Sequence, residues 1–380
     1  MLEYLLSIFF FVSAIILGVL ALGYIWGWFY HFNTHEDETC YFTTDDGWRL
    51  AIHHYFPKNG HITYPVVLCH GLDSNRYIFD LRPGPSLARY LARNGLDVWV
   101  SELRGSGMSD RPGFFATDVP RSWSFEDHLN SDLPAIIQYV LERTGSEKLH
   151  WIGHSMGGIL IQAYLSAHPD APVASAVTIG APADFSRITM KGVKILAKIR
   201  LLLNAFPIPP MPFNGRLVLP IAHRLPSFLM GLFYPPNISP HVVRQMVAVG
   251  SELITSTRLW LDFGRFVQTG VLASEKNEPY LRNLDVCAIP LLLIAGSKDL
   301  MAPPESVKAA AGDAAAGARI YRVFGKAEGN REDYGHIDMI VGKNAHNEVY
   351  PVILNWISEG WEEHSKSSDL LEFDGRSSGL

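Results

Sequence analysis

The chain opens on an uncharged run. From Tyr4 to Thr34 there is no Asp, Glu, Lys or Arg, and Tyr4 to Tyr30 is overwhelmingly apolar. A bilayer core about 30 Å thick takes roughly 20 apolar residues of helix. The pattern therefore predicts one transmembrane helix within residues 1–34, with Trp26, Trp28, Phe29 and Tyr30 as interfacial aromatics at its end. A cleaved signal peptide is the competing reading, since Ala21-Leu22-Gly23 resembles a cleavage site. Against it, Met1-Leu2-Glu3 lacks a positive n-region and the run exceeds an ordinary signal core. The expectation is a membrane-localised protein with a single N-terminal anchor. Its orientation stays open, because neither flank is rich in Lys or Arg.

After a polar linker the period changes. Thr39–Thr44 and Trp48–Tyr55 read as two strands around an Asp45-Asp46-Gly47 turn. Buried-strand runs then alternate with helical ones. Strands are predicted at Tyr64–Cys69, Leu96–Glu102, Leu149–Ile152 and Val173–Ile179, and helices at Ser86–Asn94, Phe125–Arg143 and Met156–His168. Ser124 is the expected N-cap of the second helix, with closure near Gly145. Such alternation implies an α/β protein with a mostly parallel sheet and helices on both faces.

The rhythm stops between about Asp184 and Leu281. That stretch is rich in Leu, Pro, Phe and Met, and prolines such as Pro207, Pro209, Pro210 and Pro212 divide it into short helical pieces. It resumes with a strand at Pro290–Ala295, an Ala-rich helix at Ser306–Gly317, a strand at Arg319–Phe324 and a terminal helix at Asn347–Glu359. The predicted organisation is an anchor (1–34), a core in two parts (39–183 and 282–364), a helical cap inserted between them (184–281) and a loose polar tail (365–380). Leu201, Leu202, Leu203, Phe206, Ile208, Met211, Phe213, Leu229, Met230, Leu232 and Phe233 would line an apolar pocket under that cap or pack its own small core.

Composition narrows the classes. The 380 residues are 48% hydrophobic and 18% charged, enough for a large core and too apolar for wholesale disorder. A net charge of −6 without a basic run argues against a nucleic-acid partner, and no obligate protein partner is evident. Cys40, Cys69 and Cys287 form neither a disulfide framework nor a metal spacing; a Cys40–Cys287 bridge is left open. His31 and His35 stand four apart, and His53 and His54 are adjacent, but neither pair has the further partners a metal site needs. No metal and no cofactor is expected.

The chemistry gathers in three places. Gly153-His154-Ser155-Met156-Gly157 fits G-x-S-x-G between a predicted strand and helix. There a sharp turn exposes a serine hydroxyl at a helix N-terminus, with its unpaired N–H groups and positive dipole end. His70-Gly71-Leu72 follows another strand, which makes the backbone amides of Leu72 and Met156 the candidate oxyanion donors. A serine needs a base, and the base an orienting acid. Asp299, in Gly296-Ser297-Lys298-Asp299, and His336, in Tyr334-Gly335-His336-Ile337-Asp338, each follow a predicted strand. They complete the order Ser155, Asp299, His336. Asp184 and Asp338 are rival acids and His346 a rival base. Asp338 sits too close in sequence to aim well at His336, and His346 falls at the start of the terminal helix. Glu102-Leu103-Arg104-Gly105-Ser106-Gly107 lacks the lysine of a phosphate loop and reads as a turn in which Arg104 pins neighbouring loops.

These motifs resemble the α/β-hydrolase superfamily, and more narrowly its acid-lipase branch of gastric and lysosomal type. The matching stretches are His70-Gly71-Leu72, the run from Ser86 to Trp99, Arg104-Gly105 with Ser109, Asp132-Leu133-Pro134-Ala135, Gly153-His154-Ser155, and His336 with Asp338 and Val349-Tyr350. The resemblance implies the α/β-hydrolase fold with an eight-stranded sheet and a cap. It also implies hydrolysis of acyl-lipid esters without a cofactor by Ser155, Asp299 and His336. Met156 replaces the glutamine usual in that branch, and with Gly157-Gly158 looks more like bacterial esterases and monoacylglycerol-lipase-like enzymes. The leading expectation is an anchored carboxylester hydrolase working through an acyl-enzyme on Ser155. The alternatives are acyl transfer through the same intermediate and a non-catalytic scaffold.

Overall fold

The same alternation of side chains that predicts buried strands builds a core on both faces of one sheet. In the computed structural model, residues 2–29 and 34–358 are described, apart from 35, 59, 61–62, 82–83, 113–119, 121, 189–231, 251–255 and 313–318. The strands are β1 (Glu38–Thr43), β2 (Arg49–Tyr55), β3 (Val66–Cys69), β4 (Val98–Glu102), β5 (Leu149–His154), β6 (Val173–Ile179), β7 (Leu291–Gly296) and β8 (Arg319–Phe324). They form one eight-stranded sheet in the order β1-β2-β4-β3-β5-β6-β7-β8. β2 is antiparallel to both β1 and β4, and every other pairing is parallel.

Successive residues of a strand face opposite ways. Val67, Trp99, Trp151, Leu291 and Leu293 join the core on one face. Their neighbours Val66, Val98, Ile152, Leu292 and Ile294 join the core on the other. A central strand coated on both sides has no room for polar alternation, which is why β3 and β7 read as continuous apolar runs. The helices that cover the sheet are those the sequence marks. α1 (Leu2–Phe29) precedes the sheet. α2 (Leu87–Arg93) begins at Ser86, whose side chain accepts from the Arg89 amide. α3 (Leu133–Thr144) ends at Gly145, in the left-handed region at φ +67°. α4 (Met156–Ala167) follows β5 directly. Between β6 and β7 lie α5 (Pro240–Gly250) and α6 (Thr257–Thr269); after β7 come α7 (Pro304–Lys308), two short helices at Asp338–Val341 and Ala345–Glu348, and α8 (Tyr350–Ser358).

Three expectations are corrected or refined. Among the described residues no helix is long and apolar enough to cross a membrane. The N-terminal run does form α1. The expected transmembrane anchor within 1–34 is overturned, and with it the membrane localisation; a membrane partner held through that helix is left without support. Second, the helix predicted over Phe125–Arg143 is not uniform. One α-turn at Phe125–Asp127, opened by a Ser124–Asp127 capping box, passes into a π-turn at His128–Asp132 before α3 begins. Third, the Ala-rich helix is interrupted: α7 gives way to a 3-10 turn at Ala309–Ala311, and 313–317 lie outside the described residues. All three cysteines are free and buried, so Cys40 and Cys287 are not bridged. Of the expected cap residues, those from Leu201 to Met230, like His31 and His35, lie outside the described residues; Leu232 is partly buried and Phe233 buried.

Candidate active site

The crevice forms where the strand order reverses. From β3 the chain adds β4 on one side and β5 on the other. The loops leaving the C-terminal ends of β3 and β5 therefore diverge, and ligands of open α/β sheets bind in such a gap. His70-Gly71-Leu72 leaves β3 there, and Ser155 leaves β5.

Ser155 has φ +51° and ψ −117°, a left-handed conformation that costs a non-glycine residue about 1–3 kcal/mol. The strain follows from turning a strand into a helix within one residue. Its amide donates to the Ile179 carbonyl at 2.8 Å, tying the turn to β6. The turn also needs a bare backbone at Gly157. A Cβ there would lie 2.3 Å from the Cys69 carbonyl oxygen and 2.7 Å from that of His70. This close approach sets the end of β3 against the first turn of α4. A Cβ on Gly71 would likewise meet the Ser155 Cβ at 2.8 Å.

The amides of Leu72 and Met156 donate no hydrogen bond to any described residue. For Met156 that follows from its place at the start of α4, where N–H groups lack intrahelical partners. The Leu72 loop is held from two sides. His70 Nδ1 donates to the Gly71 carbonyl at 2.9 Å, and its Nε2 accepts from the Leu103 amide at 3.2 Å. Complete burial lowers the His70 pKa to about 4 and keeps the ring neutral, as an Nε2 acceptor requires. Asp73, at φ +48°, accepts from Trp260 Nε1 of α6 at 2.9 Å.

Asp299 leaves β7 and His336 follows β8. The Asp299 Oδ1 accepts from the amides of Met301 and Ala302, both at 2.8 Å. Its Oδ2 accepts from His336 Nδ1 at 2.8 Å. The two side chains are 0% and 3% exposed. With Nδ1 donating, Nε2 is the nitrogen left to accept a proton. Space for the pair comes from Gly180 just after β6, at φ +58°, where a Cβ would stand 3.1 Å from His336 Nδ1 and 3.2 Å from Asp299 Oδ2. His154, the residue before Ser155, donates from Nε2 to the His336 carbonyl at 3.1 Å, its ring centroid 4.8 Å from that of His336. Burial, and then the neighbouring His336, keep His154 well below the usual histidine range. The structure thus brings Asp299 and His336 into contact and sets their loops against the end of β5, where Ser155 begins α4. A serine hydroxyl beside an imidazole oriented by a buried carboxylate can be deprotonated by it, and two free amides can receive the charge that develops on a carbonyl oxygen.

The rivals are occupied elsewhere. Asp184 caps a 3-10 turn through Ser186 and pairs with Arg187. His346 packs edge-on against Tyr90 and Tyr350. Asp338 accepts from backbone amides rather than from His336. Arg104 bridges Asp46 and Asp132, a pin between loops. His53 donates to Glu102 at 3.1 Å; His54 contacts Asp97 and stacks on Trp99. Sequence reasoning missed His154, Gly180 and Trp260. Only Gly180 left a signal, as a glycine at the end of a strand in Gly180-Ala181-Pro182.

The family described by the alpha/beta hydrolase fold matches residues 64–343, and the chain belongs to it. Among curated proteins, it is 27% identical over 364 residues to a gastric triacylglycerol lipase of Mus musculus, covering 83% of this chain and 87% of that one. It is 26% identical over 356 residues to lipase member K of Homo sapiens, covering 83% and 86%. Among solved structures, a thermophilic esterase from Thermogutta terrifontis superposes with a TM-score of 0.55 at 18% identity, over 85% of this chain and 98% of that one. A monoacylglycerol lipase of Paleococcus ferrophilus does so at 0.52 and 20%, over 82% and 98%. At such identities the structural matches speak for the fold. With these curated lipase relatives, the chain is a carboxylester hydrolase.

Proposed function

We propose that the protein hydrolyses acyl-lipid esters through a covalent acyl-enzyme on Ser155. His336 takes the serine proton at Nε2 as the oxygen attacks the acyl carbonyl, and Asp299 holds the imidazolium that forms. The amides of Leu72 and Met156 receive the oxyanion. Collapse of the tetrahedral adduct releases the alcohol, which His336 protonates. Water, deprotonated by His336, then frees the acid. The observation that carries this reading is the buried Asp299–His336 hydrogen bond of 2.8 Å, on loops abutting the strained turn at Ser155. The 184–281 insertion is read as a cap over this crevice, and the lipase relatives favour a long acyl chain beneath it.

The test is ester hydrolysis by the purified full-length protein over short to long acyl chains, beside Ser155→Ala and a serine-directed phosphonate probe. The expected result is a preference for longer chains, with activity and labelling both lost in Ser155→Ala. Activity confined to short chains would remove the lipid substrate and keep the serine mechanism. Undiminished hydrolysis by Ser155→Ala would end the acyl-enzyme reading.

A further inference from the structure

The loop that carries His336 does not hold itself in place. Between β6 and β7 the chain passes through Leu232–Asn237, and this segment is stitched to the residues that carry and follow His336 by several hydrogen bonds, among them Lys343 Nζ to the Pro236 carbonyl at 2.6 Å and Asn344 Nδ2 to Asn237 Oδ1 at 3.1 Å. The Ile337 amide donates to the Leu232 carbonyl at 2.8 Å and the Lys343 amide to the Asn237 carbonyl at 2.7 Å. The Tyr234 amide donates to Asp338 Oδ1 at 3.2 Å, and Asn237 Nδ2 donates to Asp338 Oδ2 at 3.3 Å. The same Oδ2 also accepts from the Gly335 amide, the residue before His336, at 2.9 Å. Asp338 is fully buried, as is Asn237. Gly335 leaves no slack: a Cβ there would lie 2.7 Å from the Tyr234 nitrogen and 2.8 Å from Asp338 Oδ1.

We propose that Asp338 is a positioning residue for the reaction, a clasp that fixes the His336 loop to the edge of the 184–281 insertion. The placement of the base then depends on where that edge sits. This rests on the reading of His336 as the base. The chemistry of the clasp selects a carboxylate. All three of its side-chain partners are N–H donors, so only an acceptor at both oxygens satisfies them. An asparagine in its place would turn an NH₂ group toward at least one N–H, leaving a buried donor unpaired and pushing the loop off it. Burial pushes the Asp338 carboxyl up to about 6 against the pull of the amide donors, so it is an anion at neutral pH. The clasp also gives the proximity of Asp338 to His336 a purpose other than that of the orienting acid, which is Asp299 in the proposed reaction.

The experiment compares Asp338→Asn and the milder Asn237→Ala, which removes the insertion-side side-chain bond to Asp338 together with the bond from Asn344, with wild type. Readouts are kcat and KM on a soluble short-chain ester, plus the rate and final stoichiometry of Ser155 labelling by a phosphonate. A displaced base slows both deacylation and labelling without touching the acyl pocket. In Asp338→Asn, kcat and the labelling rate should fall together by about 10- to 100-fold. KM should stay within about threefold, and labelling should still approach one per chain. Asn237→Ala should show a smaller fall of the same kind. Wild-type kcat in both variants would overturn the proposal. So would a fall in labelling stoichiometry that accounts for all the lost activity, because Asp338 would then serve folding alone. His336→Ala separates the two layers. If it is inactive while Asp338→Asn and Asn237→Ala keep wild-type kcat, only the clasp fails. If it is fully active, the serine–histidine reading fails and takes the clasp with it.

Discussion

Replacing Gly157 by alanine adds one methyl group at the point where β3 and α4 come closest. That methyl carbon would begin 2.3 Å from the Cys69 carbonyl oxygen and 2.7 Å from that of His70. Both atoms are backbone, so no side chain can swing aside. Regaining even a 3.0 Å separation from Cys69 requires a shift of about 0.7 Å, shared between the start of α4 and the end of β3. Overpacking of this kind costs typically about 1–3 kcal/mol. At roughly 2.1 cal/mol/K per residue of unfolding entropy, that lowers Tm by only about 1–4 °C. Activity should suffer far more. The two elements that separate are the ones carrying Leu72 and Met156, the proposed oxyanion donors, with Ser155 between them. Displacements near 1 Å at a reacting centre can cost about 100-fold in rate. Steady-state hydrolysis of a short-chain ester, run beside a thermal melt, checks this. The expected result is a kcat loss of about 10- to 100-fold with Tm within a few degrees of wild type. Full activity in a folded Gly157→Ala protein would refute the claim that this approach sets the geometry of the site.

Two further predictions concern stability. Arg104→Ala leaves the buried Asp132 carboxylate without its cation, a loss of about 3–5 kcal/mol readable as a lower denaturation midpoint. Acid should also destabilise the fold. His70 and His150 are held neutral by burial down to about 4, and His154 well below the usual range. Groups with a depressed histidine pKa contribute stability that is whole above about 6.5 and is lost as pH falls toward 4, each by about 1.4 kcal/mol per pH unit. Asp338, raised to about 6 by burial, works the other way below pH 6. His53, raised despite burial by its bonds to Glu102 and Glu36, takes up its proton earlier in the folded state and so opposes this loss at the top of the window. The net expectation is a melting temperature that falls steadily from pH 6.5 to 5; a flat or rising profile would contradict it.

How much of this could be read in advance divides by the range of the physics. Period-2 and period-3.6 patterning placed all eight strands within two residues of their observed ends, because a sheet buried on both faces writes its apolar runs into local sequence. Caps did the same for Ser124 and Gly145, whose effects act within one turn. Asp299 and His336 were legible because the topology confines such residues to loops at the C-terminal ends of strands, and the hydrogen bond between them at 2.8 Å needs no further signal. The anchor reading is the one overturned: among the described residues no helix is long and apolar enough to cross a membrane.

The features that escaped are those in which two distant segments share one atom. The π-turn at His128–Asp132 is invisible in the amphipathic pattern of Phe125–Arg143, since inserting one residue into a turn barely shifts the periodicity. Its purpose shows only in space. Asp132 accepts from His128 Nδ1 at 2.7 Å and from Arg104, and Arg104 in turn reaches Asp46. The backbone is distorted where a single carboxylate must serve two partners. Asp338 has the same character. Two residues from His336 it looks like a misplaced acid, and only its three N–H partners, two of them about a hundred residues away at Tyr234 and Asn237, show what a carboxylate is needed for there. Buried charges in this protein are thus set by what converges on them. A sequence reading can name the carboxylates, but separating the one that orients the base from the one that holds its loop requires knowing which donors each one faces.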